Sequence, residues 1–348
     1  MTLKGRIAEL IAEAGPIPVS QYMALCLFDP KEGYYTTREP FGAKGDFTTA
    51  PEVSQMFGEL VAVWLASAWQ AAGAPKNAIL AEIGPGRGTL MRDMLRTLAR
   101  IAPDLMRRVA MIETSPRLVD VQKQLLGNES ISWHRAIADL PDAPLFIVGN
   151  ELFDAIPIRQ FVKTQQGWRE RCVGLDADGE LVFIAGPGTT DAPLPDAPVG
   201  AIYEAAPARN ALMLEIAERI ARQGGAGLFI DYGHLENGVG DTLQAMRAHA
   251  HADVLATPGE ADLTSHVDFA ALGAAAGAAG LDARTTTQAR FLIGLGLLER
   301  AGQLGAGANA DLQERLHGEV ERLAAPEQMG ELFKVLMVGR TITGLPPA

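Results

Sequence analysis

The chain has 348 residues, 48% of them hydrophobic and 21% charged, and a net charge of −12 from 30 basic and 42 acidic residues. That is a globular composition, long enough for one large domain or two, and an acidic balance without any basic run excludes a nucleic-acid backbone as partner. Cys26 and Cys172 stand alone, with no CxxC or CxxH neighbourhood, so no zinc site is available and no metal is expected. No stretch approaches the roughly 20 apolar residues of a membrane span, and Met1–Arg6 opens an amphipathic pattern rather than an apolar signal segment. The expectation is a cytoplasmic protein that does not insert into membranes.

Leu3, Ile7, Leu10, Ile11 and Ala14 share one helical face, and Gly15-Pro16-Ile17-Pro18 stops that helix. Ser20 is placed to cap the next helix, which carries Tyr22, Met23, Leu25 and Cys26. Asp29-Pro30-Lys31-Glu32-Gly33 reads as a turn before Tyr34-Tyr35. The glycine-rich, aperiodic segment 41–50 reads as a loop, of the kind that carries function on a rigid scaffold. Pro51 opens a long apolar helix through Phe57, Val61, Trp64 and Ala68, ended by Gly73. Residues 1–75 are therefore an N-terminal helical region.

From Ile79 strands alternate with helices. The strands are Ile79–Ile83, Val109–Glu113, Ile131–His134, Leu145–Gly149 and Gly227–Gly233, with Arg284–Gln288 as a late edge strand and Leu332–Gly339 closing the sheet. Residues 159–207 read as an inserted β-hairpin or meander, and 76–348 as the α/β domain that carries it. Alternation of this kind means a doubly wound sheet, whose ligands bind beyond the strand C-termini at the switch point. Glu82, Gly84, Glu113, Asn150, Glu151 and Asp231 all fall at or just beyond such termini.

One stretch organises these positions. Ile79 to Leu90 passes from an apolar strand through Glu82 into Gly84, Gly86 and Gly88, then into an amphipathic helix. Such a turn lets backbone N–H groups approach a ligand closely. A dinucleotide fingerprint would need a third glycine where Thr89 stands. Glu-x-Gly-x-Gly-x-Gly instead resembles the first motif of class I S-adenosyl-L-methionine (SAM) methyltransferases. The glycines would then take the methionine part of SAM. Glu113, about 25 residues further on, would take the ribose hydroxyls. Asn150, Glu151 and Asp154 follow the fourth strand, where carboxylates could grip a guanidinium acceptor. Otherwise Asp154 caps a turn and Asn150 satisfies loop backbone. His266, between Thr264 and Asp268, could accept a proton near neutral pH or merely bond the start of the next helix.

The ordered set of motifs resembles the MidA-type SAM-dependent methyltransferases over nearly the whole chain. The resemblance rests on Phe28-Asp29-Pro30 with Gly33-Tyr34-Tyr35, Gly45 to Thr49 with Pro51-Glu52-Val53-Ser54, Glu82 to Leu90, and Asn150 to Pro157. It continues through Asp231-Tyr232-Gly233, Asp262 to Phe269, and Met329-Gly330 with Phe333-Lys334-Val335. It implies a seven-strand class I (Rossmann-like) α/β fold with an N-terminal helical region, SAM as cofactor, and symmetric methylation of a protein arginine. The family's mitochondrial members assist complex I assembly, so a complex I subunit is the implied protein substrate. Asn150, Glu151 and Asp154 take the catalytic role, and Glu82, Gly84, Gly86, Gly88 and Glu113 hold the cofactor. Asp46, Phe47, Asp231 and His266 are assigned to substrate. One departure stands out: Arg135 to Asp139 offers no acid immediately beyond the third strand for the adenine amino group. A small-molecule acceptor, or a non-catalytic assembly chaperone on the same fold, are the alternatives.

Overall fold

Apolar runs bounded by glycine and proline punctuation give a mixed α/β molecule. The computed structural model describes residues 1–37, 49–127, 130–190, 193–236, 238–247, 250–340 and 342. The chain forms two compact units interleaved in sequence. One comprises Met1–Phe47, Phe153–Ala211 and Glu236–Asp268; the other comprises Thr48–Leu152, Leu212–Leu235 and Phe269–Ala348.

The second unit is built on a sheet with seven strands along one path. In chain order they are β1 (Ile79–Ile83), β2 (Val109–Ile112), β3 (Ile131–His134), β4 (Leu145–Asn150), β5 (Gly225–His234), β6 (Asp282–Thr287) and β7 (Phe333–Gly339). Their spatial order is β3-β2-β1-β4-β5-β7-β6. The pairs β1 with β2, β2 with β3, β1 with β4 and β4 with β5 are parallel, and β7 runs antiparallel to both β5 and β6. The chain winds outward from β1 to β3, then returns to β4 on the other side of β1, so the switch point lies between β1 and β4. β4 is buried from Leu145 to Gly149, as expected of a central strand paired on one edge with β1 and on the other with β5. Leu80, Met111, Phe146, Val148 and Leu228 enter one core with Phe57, Val61, Trp64 and Leu65 of the long helix Gln55–Ala71.

Two local expectations fail here. Pro51 does not open the long helix. It lies in a separate turn, Ala50–Val53, and the extended backbone of Ser54 breaks the two apart. The Ser54 hydroxyl oxygen then caps the long helix, accepting from Met56 N at 3.2 Å. The last strand does not close the sheet either, because β7 inserts between β5 and β6. The polar β6, which pairs with β7 alone, takes the edge.

In the first unit, helices Leu3–Ala14 and Val19–Phe28 supply Leu3, Ile7, Tyr22 and Leu27 to a second core, shared with Val173 and Leu263. Ser20 lies inside the second helix, whose N-cap is Pro18 without any side-chain bond. Strands Arg159–Thr164, Gly167–Leu175, Leu181–Ala185 and Ile202–Ala205 form an antiparallel sheet, with Ile17–Pro18 paired to its second strand. Gln244–Arg247, Ala250–Ala252 and Asp262–Thr264 make a further small antiparallel sheet that the sequence did not announce.

Candidate functional site

The glycine turn follows β1 directly. Gly84, Gly86 and Gly88 have φ of +65°, +52° and +86°. A side chain would cost about 1–2 kcal/mol at each such position. At Gly84 a Cβ would also lie 2.9 Å from Leu152 Cδ1. Gly88 is the N-cap of the helix Thr89–Ile101, so the turn brings a helix N-terminus to the switch point. Thr89, in the place of a dinucleotide motif's third glycine, donates its hydroxyl to Glu52 Oε1 at 2.5 Å.

Two carboxylates flank this turn. Glu82 is 3% exposed, and burial raises its pKa well above the usual carboxylate range. A hydrogen bond from the Met91 backbone opposes that shift, and the charge of Glu113 adds to it. Its Oε2 has no hydrogen-bond partner among the described residues. Glu113 stands just past β2, half-buried, with its pKa also raised, chiefly by burial. Its Oε1 accepts from Ser115 N at 2.8 Å and its Oε2 from Gln122 Nε2 at 3.2 Å.

Gln122 is a participant that sequence reasoning missed. It is fully buried, and its Nε2 also donates to Gly86 O at 2.8 Å. The available signal was an amide on the apolar face of the helix Pro116–Leu126, four residues after the buried Leu118.

At the end of β4, Glu151 has φ +50°, a left-handed conformation that it shares among described non-glycine residues only with Ala74. Strain of this kind clusters at functional sites. Glu151 N donates to Ile230 O at 2.8 Å. Its Oε1 accepts from Asn150 Nδ2 at 2.9 Å and from Ala50 N at 3.2 Å. Asn150 Oδ1 is buried and has no partner among the described residues. Asp231 is fully buried and accepts from Tyr232 N at 2.9 Å. It lies within β5 opposite Lys334 rather than at the strand's end, although pairing with β4 stops one residue earlier, at Ile230 with Asn150. The structure therefore gathers Glu82, Gly84, Gly86, Gly88, Glu113, Asn150, Glu151 and Asp231 in the sheet unit.

Asp154 and His266 belong to the other unit. There the guanidinium of Arg209, 1% exposed, donates to Asp154 O at 2.9 Å, His266 O at 2.8 Å and Ser265 Oγ at 2.6 Å. His266 N donates to Thr242 Oγ1 at 2.9 Å. Asp46 and Phe47 lie outside the described residues. Asp139, considered for adenine, accepts from Arg135 N and Ala136 N at 3.2 and 3.0 Å, so its carboxylate closes its own turn.

These residues fit SAM. A glycine turn in left-handed backbone suits close backbone approach, and the buried Glu82 Oε2 and Asn150 Oδ1 are acceptors without a hydrogen-bond partner among the described residues. Carboxylates also complement the positive charge of the sulfonium and ammonium groups. Among the described residues no group of three or more His, Cys, Asp or Glu could hold a metal, and no helix is long and apolar enough to cross a membrane.

Comparison with known proteins agrees with this geometry. A family model for S-adenosyl-L-methionine-dependent methyltransferases matches residues 60–287. The chain is 35% identical to the protein arginine methyltransferase NDUFAF7, mitochondrial, of Xenopus tropicalis, over 97% of this chain and 86% of that protein. With the human protein of the same name the identity is 35%, over 93% and 80%. A crystal structure from Burkholderia thailandensis with S-adenosyl-homocysteine bound superposes with a TM-score of 0.84 at 30% identity, covering 99% of this chain and 93% of that one. The cytoplasmic expectation is corrected by these relatives, whose names place them in mitochondria. Isolated, buried thiols suit any reducing compartment, so they do not distinguish one from another. By family model, by relatives and by fold, this chain belongs to the S-adenosyl-L-methionine-dependent methyltransferases.

Proposed function

We propose that this chain is a protein-arginine N-methyltransferase, with the donor held over the glycine turn and the acceptor guanidinium met by carboxylate beyond β4. The names of its relatives support the acceptor class. Their relation to complex I assembly, implied by the motif resemblance, makes a subunit of that complex the proposed substrate and symmetric dimethylation the proposed product. When bound, S-adenosyl-L-methionine supplies a methyl group on a sulfonium, open to in-line attack by a nitrogen lone pair.

The chain's own residues would do the placing. Gly84, Gly86 and Gly88 give backbone access to the methionine part, Glu82 lies beside it, and Glu113 accepts from the ribose hydroxyls. Asn150 and Glu151 orient the acceptor. A carboxylate can take two N–H groups of a guanidinium at once, holding its charge away from the attacking nitrogen. Asp154 is kept as a further catalytic candidate, and Asp46, Phe47, Asp231 and His266 as substrate-binding candidates.

The observation that carries the reading is Glu151, held in left-handed backbone with its carboxylate fixed by Asn150 and Ala50. Replacing it by glycine removes the carboxylate and relieves the backbone at the same time, so the variant should keep its fold. Glu151→Gly is expected to bind SAM within about threefold of wild type and to lose methyl transfer by about a hundredfold or more. Transfer at the wild-type rate would remove Glu151 from the chemistry.

A further inference from the structure

We propose that Gln122 is the positioning residue of the donor site, fixing the Glu113 carboxylate and the Gly86 carbonyl relative to one another so that the ribose meets a preset acceptor. This rests on the reading of Glu113 as the ribose acid.

The geometry allows one orientation of the Gln122 amide. Trp133 Nε1 lies 3.0 Å from Gln122 Oε1, and an indole N–H can only donate, so Oε1 must be the acceptor. The Nε2 hydrogens then go to Gly86 O at 2.8 Å and Glu113 Oε2 at 3.2 Å. Every hydrogen-bonding group of the amide is directed, and the side chain is fully buried. One residue thus ties together the turn after β1, the end of β2 and, through Trp133, β3. Trp133 is itself in register with Met111 of β2, and Lys123 Nζ sits 5.4 Å above its ring.

Glu113 is held on both oxygens, by Gln122 on one and by the backbone of Ser115 on the other. A carboxylate locked in this way loses little freedom when it accepts from a ligand. A methionine at 122 would fill similar space but release Glu113 and leave the Gly86 carbonyl and the Trp133 indole without their partner. The buried amide is therefore placed for what it holds, beyond filling the core.

The test is a double-mutant cycle read by calorimetric titration of the full chain with S-adenosyl-L-methionine. Gln122→Met should weaken binding about tenfold, the loss expected for a hydrogen bond to a charged group. In the Glu113→Gln background the same change should weaken it by less than about threefold, because the charged target is gone and only neutral contacts, with Gly86 and Trp133 among them, remain to be lost. Wild-type affinity in Gln122→Met, or a full tenfold loss in both backgrounds, would overturn the proposal. Wild-type affinity in Glu113→Gln would overturn the ribose reading instead, so the two failures separate. If Gln122→Met does not fold, Gln122→Glu keeps the shape and places a second carboxylate against Glu113, with Glu82 and Arg117 the other charges acting on that group. Relative to wild type, its affinity should recover as pH falls and the new acid gains a proton to donate. A profile parallel to wild type would overturn the proposal.

Discussion

Glu82 pairs almost complete burial with a carboxylate oxygen that has no partner among the described residues. Its folded pKa is raised by burial, so stability should be greatest below the ordinary carboxylate range and decline as pH rises toward the folded value. The slope for one such group is up to about 1.4 kcal/mol per pH unit. Glu82→Gln cannot ionise. Without ligand, its melting midpoint is expected to gain on wild type as pH rises above the ordinary carboxylate range, as followed by scanning calorimetry. A difference that stays constant with pH would contradict a buried, protonation-dependent Glu82. At this scale the sequence exposed the acids and glycines, because their spacing follows the strand-turn-helix pattern. It concealed Gln122, whose meaning lies in three partners contributed by different elements.

Among the elements, the turn Asp29 to Gly33 shows a motif of the family resemblance with a structural basis. Asp29 accepts from Lys31 N and Glu32 N at 2.9 Å each and takes a two-pronged contact from Arg6 at 2.8 Å, which holds its pKa well below the usual carboxylate range. Gly33 packs so closely that a Cβ would lie 2.4 Å from Asp29 N and 2.6 Å from Asp29 O, both main-chain atoms that cannot swing aside. Gly33→Ala is therefore expected to destabilise the fold by about 1–3 kcal/mol in urea denaturation. A loss under about 0.5 kcal/mol would show that the turn is not so tightly built. Helix and strand positions were largely legible from periodicity, whereas the break at Ser54 was not. Pro51 and Ser54 are both good helix starters, and which begins the long helix depends on where the packed face of Gln55–Ala71 falls.

At the scale of the whole molecule, hydrophobic alternation indicated an α/β sheet, and the sheet has the expected seven strands along its path. The place of β7 was harder to read. Its buried apolar run, Val335 to Gly339, marks an interior strand, while the exposed, polar Asp282 to Arg284 mark β6 as the edge. The interleaving of two units was not legible, since each is assembled from segments far apart in sequence and periodicity reports only local faces. The proposed function rests on the sheet unit's glycine edge and on the acceptor proposed to reach it. Incubating the chain with methyl-labelled S-adenosyl-L-methionine and a cell lysate, followed by mass spectrometry, tests that claim most directly. Label on the terminal nitrogens of arginine in a protein is the expected result, and label confined to a small soluble metabolite would contradict it.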